Sequence, residues 1–131
     1  ARVTEPGIGR LEVSPASAAE TDFFLHVLSP TGIESQAPRP QAKLVEDTED
    51  IVALVGNHLL LFRRDGATRP DARYAVTHGG ALIHILGGLP PSKDFSVRRG
   101  GQPIAGGKSS DQGILIFRST SGGDFEVSVK A

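Results

Sequence analysis

The chain has 131 residues, enough for one domain with its own core, and 22% of them are charged, with a formal net charge of −1. That balance removes any global attraction to nucleic acid or to an anionic membrane, and no apolar run is long enough to cross a bilayer. The complete lack of cysteine excludes disulfides, thiol catalysis and thiolate metal sites together.

The sequence opens Ala1-Arg2-Val3 with no initiator methionine and no apolar signal core, so it is expected to be a piece, either a mature form or a domain cut from a longer polypeptide. The first extended stretch is residues 9–14, ended by Pro15. Residues 16–21 form the only helix-like stretch, too short to stand without tertiary support. Residues 23–29 alternate Phe23, Leu25 and Val27 against Phe24, His26 and Leu28, apolar on both faces, which predicts a central strand covered from both sides. A proline- and glycine-rich stretch at 32–40 predicts an exposed loop.

Further strands are expected at 41–46, 51–55, 58–63, 73–77, 81–86, 94–98, 102–104, 113–118 and 125–129. Gly56-Asn57 leaves two residues between the second and third of these, and both residue types tolerate the positive φ of a tight hairpin. Glycine pairs at 79–80, 100–101 and 122–123 punctuate the second half. Pro90-Pro91 lacks two backbone donors and cannot sit inside a ladder. Residues 105–112 read as a second loose loop. All 131 residues therefore read as a single all-β domain, a two-sheet antiparallel β-sandwich of about ten strands.

Candidate chemistry is sparse. Of the four histidines, His26 and His84 are each flanked at two residues' distance by large apolar groups, which predicts half-buried rings with hydrogen-bonded nitrogens. No nucleophile or second acid is spaced to pair with either, and no third ligand is in view for a metal. The run Glu46-Asp47-Thr48-Glu49-Asp50 lacks the alternation of a calcium loop and reads as a solvated acidic turn. Gly106-Gly107-Lys108-Ser109 imitates the end of a phosphate loop, but Pro103 stands where its first glycine belongs. Neither a metal nor a cofactor is expected, and no residue is assigned a catalytic role. Two basic pairs at strand ends, Arg63-Arg64 and Arg98-Arg99, could grip carboxylates or sulfates bidentately, or could simply balance the acidic turn. With no Trp and only Tyr74, the chain lacks a flat platform for stacking neutral sugars.

The segments Gly9-Arg10-Leu11-Glu12-Val13-Ser14-Pro15, Asp22-Phe23-Phe24-Leu25-His26-Val27-Leu28 and the strand pair across residues 52–66 together resemble one bacterial module. So do Leu86-Gly87-Gly88-Leu89-Pro90-Pro91, Phe95-Ser96-Val97 and Gly113-Ile114-Leu115-Ile116-Phe117. The module is the C-terminal β-sandwich of heparinase II/III-like polysaccharide lyases, and the likeness runs from about Gly9 to Val129, with Phe95 where that family is expected to carry Tyr. Such lyases cleave uronic-acid polysaccharides by β-elimination, with machinery in an α/α toroid and a larger central sandwich that a helix-free chain cannot supply. The resemblance thus implies a non-catalytic C-terminal accessory domain, secreted or periplasmic, that stabilises the catalytic domain of the same parent chain. It further implies contact with an acidic polysaccharide, for which Arg63, Arg64, Arg98 and Arg99 are the candidate residues. A protein-interaction or adhesion module of a bacterial surface protein is the rival reading, and a small stand-alone enzyme a third.

Overall fold

The computed structural model describes residues 11–32 and 34–131. It contains β1 (Ala42–Asp47), β2 (Asp50–Val55), β3 (His58–Arg63), β4 (Asp71–Val76), β5 (Leu82–Leu86), β6 (Asp94–Arg99), β7 (Gln102–Lys108), β8 (Leu115–Ser119) and β9 (Gly123–Val129). These make a five-stranded sheet in the order β1-β2-β3-β5-β8 and a four-stranded sheet in the order β4-β9-β6-β7. The all-β sandwich expected from the sequence is what forms.

Alternation along each strand decides which side chains point between the sheets. Leu59 and Leu61 from β3, Leu82 and Leu86 from β5, and Leu115 and Phe117 from β8 meet Tyr74, Phe95, Val97, Phe125 and Val127 of the other sheet. Two turns are written directly in the sequence. Gly56 takes φ 58° as the first residue of the β2–β3 turn, and Gly100 and Gly101 take 55° and 80° between β6 and β7. The second pattern is the primed hairpin turn that matches strand twist.

One pairing departs from the antiparallel expectation. β3 and β5 run parallel, with Leu59 beside His84 and Leu61 beside Leu86. Parallel neighbours need a crossover between them. Here β4 provides it, crossing to the opposite sheet before the chain returns.

Three sequence expectations are corrected. Residues 23–29 form no strand and are exposed. Phe23 and Leu25 instead lie near Leu44 and Ile51 on the outer side of β1 and β2. Alternation specified apolar contact there, and that contact needs no ladder. In the expected strand at 9–14, residues 9 and 10 lie outside the described residues and 11–14 have no regular structure. The loop expected at 105–112 is half strand, because β7 continues to Lys108. As an edge strand, β7 tolerates Pro103 and its glycines. Gly106 is needed there, since a Cβ would come within 2.9 Å of the Phe95 carbonyl oxygen.

Candidate functional site

The polar cluster inside the sandwich is centred on His84, whose side chain is fully buried. Its Nδ1 lies 2.8 Å from the Tyr74 hydroxyl and its Nε2 2.8 Å from Ser119 Oγ. Ser119 Oγ in turn donates to the Ser121 carbonyl at 2.9 Å. Proton inventory fixes the direction of this chain. With the Ser119 proton spent on Ser121, Nε2–H donates to Ser119, and Nδ1 is left to accept from Tyr74.

A serine touching a histidine suggests nucleophilic catalysis, but in this tautomer Nε2 carries a proton and cannot take one from Ser119. The ring is also sealed between Phe117 and Phe125, at centroid distances of 4.3 and 4.6 Å. Burial pulls the His84 pKa down to about 4 and pushes that of Tyr74 far up. The cluster satisfies buried polar atoms and pins the two sheets together.

His26, expected beside it in character, is exposed and stacks on Phe24 at 5.8 Å. The histidines are not gathered, and among the described residues no group of three or more His, Cys, Asp or Glu side chains could hold a metal. The acidic turn is met by arginines. Arg64 pairs with Asp47, and Arg63 Nη1 reaches Asp50 Oδ2 at 2.6 Å.

The four candidate arginines fall at opposite ends of the sandwich. Arg63 shares the inward face of β3 with Leu59 and Leu61, and its side chain is 2% exposed. Besides Asp50, it donates to the Asp71 carbonyl and, at 3.5 Å, to that of Gly88. Gly88 is held at φ 72° directly beneath its stem, where a Cβ would lie 2.3 Å from Arg63 Cγ. Arg69 extends the network, 3.7 Å from Asp50 Oδ1 and 2.5 Å from Asp65 Oδ2. Arg64 donates to the Thr48 carbonyl at 2.8 Å and lies 5.6 Å over the Phe23 ring. This end is occupied with its own carboxylates.

The other end differs. Arg98 is exposed on the outer face of β6. Arg99 is anchored through one nitrogen, Nη1, which donates to Ser121 Oγ at 2.9 Å, Thr120 Oγ1 at 3.2 Å and the Ser121 carbonyl at 3.4 Å. It lines a cleft of about 310 Å³ with Ile104, Arg118, Ser119 and Thr120. Sequence reading missed Arg118, a lone basic residue in an apolar strand. Its signal lies in parity, because it shares the outward face of β8 with exposed Ile116.

The two outer faces of the sandwich are unlike. On the four-stranded sheet, Arg73, Glu126 and Arg98 stand in one cross-strand row, with Arg73 2.8 Å from Glu126. On the five-stranded sheet, Leu44, Ala53, Leu60, Ile85 and Ile116 form one continuous row across all five strands. Leu44 is 57% and Ile116 61% exposed. Phe23, Phe24 and Leu25 border this face together with Ile51 and Phe62.

No protein-family model matches the chain, and no curated protein matches it.

Proposed function

We propose that this chain is the non-catalytic C-terminal accessory sandwich of a secreted or periplasmic heparinase II/III-like polysaccharide lyase. It docks against the catalytic domain of the same parent chain through the outer face of its five-stranded sheet, and its basic end contacts the acidic polysaccharide. The supporting observation is the asymmetry of the two outer faces. A sheet open to water on one side ordinarily alternates polar outward, as β4, β6 and β9 do. The row from Leu44 to Ile116 does not.

The size of the patch fits such a role. Phe23, Leu25, Leu44, Phe62 and Ile116 are each about half exposed. Together they present roughly 500 Å² of apolar surface, on the basis of roughly 150–250 Å² for a large side chain. A matching surface on the partner gives about 1,000 Å² in total, inside the range of interfaces between domains of one chain. A patch of this size stands toward the upper end of the largest apolar patch on a monomer, which is often functional.

The test uses the complete open reading frame that encodes this segment. Helical toroid residues upstream are expected, together with eliminative cleavage of a uronate polysaccharide. Leu44→Asp combined with Ile116→Asp should lower the thermal midpoint of that activity while leaving the catalytic residues untouched. Tandem copies of this sandwich without a toroid would instead establish the adhesion reading.

A further inference from the structure

We propose that the cleft between the end of β8 and the β6–β7 hairpin is an oxyanion site, in which Arg99 and Arg118 grip a sulfate or carboxylate group of an acidic polysaccharide. The choice of a polysaccharide as carrier rests on the accessory-domain reading above. The oxyanion preference rests on the cleft itself.

Three features of the cleft point to it. The first is the way Arg99 is held. Among the described residues, all its side-chain hydrogen bonds pass through Nη1, to Thr120 and Ser121. Its stem lies across Gly123, where an added Cβ would come within 3.0 Å of Arg99 Cγ. The side chain is thereby clamped at its base and at one nitrogen. The Nε–Nη2 edge, which forms the parallel two-point contact with carboxylate or sulfate, has no acceptor among the described residues. A guanidinium fixed before the ligand arrives loses less rotamer freedom on binding.

The second feature is the company it keeps. Arg118 lines the same cleft, and among the described residues no acidic side chain lines it. Arg118 is exposed, and its side chain forms no ion pair or hydrogen bond among the described residues. Two cations facing one hollow without a carboxylate leave a local positive potential that an anion relieves. The Arg63 end shows the alternative, where Asp47, Asp50 and Asp65 have already neutralised three arginines.

The third feature is size. A volume of about 310 Å³ stands at the small end of ligand clefts, suited to one charged group and the ring that carries it. Ile104 offers that ring an apolar wall.

The experiment is calorimetric titration of the intact chain with a heparin hexasaccharide, an alginate hexasaccharide and a neutral dextran of equal length. Heparin alone binding assigns sulfate, alginate alone assigns carboxylate, and both binding assigns a general oxyanion site. Arg118→Glu is the decisive variant, because the side chain is exposed and partnerless and its loss leaves the fold intact. It should weaken binding by about tenfold or more, the scale of a charge-assisted contact replaced by repulsion. Arg99→Gln should do the same, with circular dichroism confirming a folded chain. Arg64→Gln, at the opposite end, should leave affinity unchanged. No binding of either anionic glycan at millimolar concentration overturns the proposal, as does equal binding of dextran or indifference to Arg118→Glu. Failure of the domain-docking test would leave these titrations unaffected, so the two readings fail separately.

Discussion

Tyr74 on β4 and His84 on β5 are ten residues apart in sequence and in different sheets, and the phenolic O–H donates to Nδ1 across 2.8 Å. This bond crosses the interior and joins the two layers, as the bond from Arg63 on β3 to the Asp71 carbonyl on β4 does at one end of the sandwich. Tyr74→Phe keeps the ring packing and leaves Nδ1 a buried acceptor without a partner. The expected cost is roughly 1–3 kcal/mol, read as a shift of the urea midpoint without a change in slope. Ser119→Ala should act similarly from the other side of the ring.

The same cluster makes stability depend on acid. The folded His84 pKa is lowered to about 4 from 6.5, so the unfolded chain binds the extra proton more readily. The contribution is fully present above pH 6.5 and is lost as the pH falls toward 4. The total is roughly 3 kcal/mol at most. Denaturation curves over that range should show a declining midpoint in the wild type. Substituting His84 by Gln should flatten the dependence. A wild-type midpoint constant over that range would contradict the assigned burial.

Arg63 and Arg64 are neighbours with opposite consequences. Arg63→Ala strips a part-buried carboxylate, Asp50, of its 2.6 Å partner, and should cost roughly 3 kcal/mol. Arg64→Ala removes a surface pair with Asp47 and should stay within about 1 kcal/mol. Thermal melts of the two variants side by side give the comparison.

Gly113 stands at φ 76° with its Cα against Leu89, and a Cβ there would lie 2.1 Å from the Leu89 carbonyl oxygen. Gly113→Ala combines left-handed strain with a clash on backbone. A loss of at least about 2 kcal/mol is expected in the melting curve.

Much of the sandwich was legible because its signals are local. Gly56-Asn57 and Gly100-Gly101 sit where hairpin chemistry demands them, and β3 runs over the residues that alternation marks. Residues 23–29 misled because alternation marks apolar side chains but does not supply a ladder partner, and among the described residues this stretch is exposed and unpaired. The start of β7 was legible at 102–104, but its continuation through 105–108 was hidden because Gly106 and Gly107 oppose strand formation except where an edge tolerates them. The site was harder still. His84 meets Ser119 at a separation of 35 residues, which no local pattern contains. Arg63 looked like an exposed strand end, yet its parity with Leu59 and Leu61 already placed it inward.

The position of β9 has a consequence for biogenesis. It lies between β4 and β6, paired with both, although it follows them in the chain. The smaller sheet therefore has a missing middle until β9 is synthesised. During translation β4 and β6 must wait with open flanks, a state in which chaperone capture or proteolytic nicking has its best opportunity.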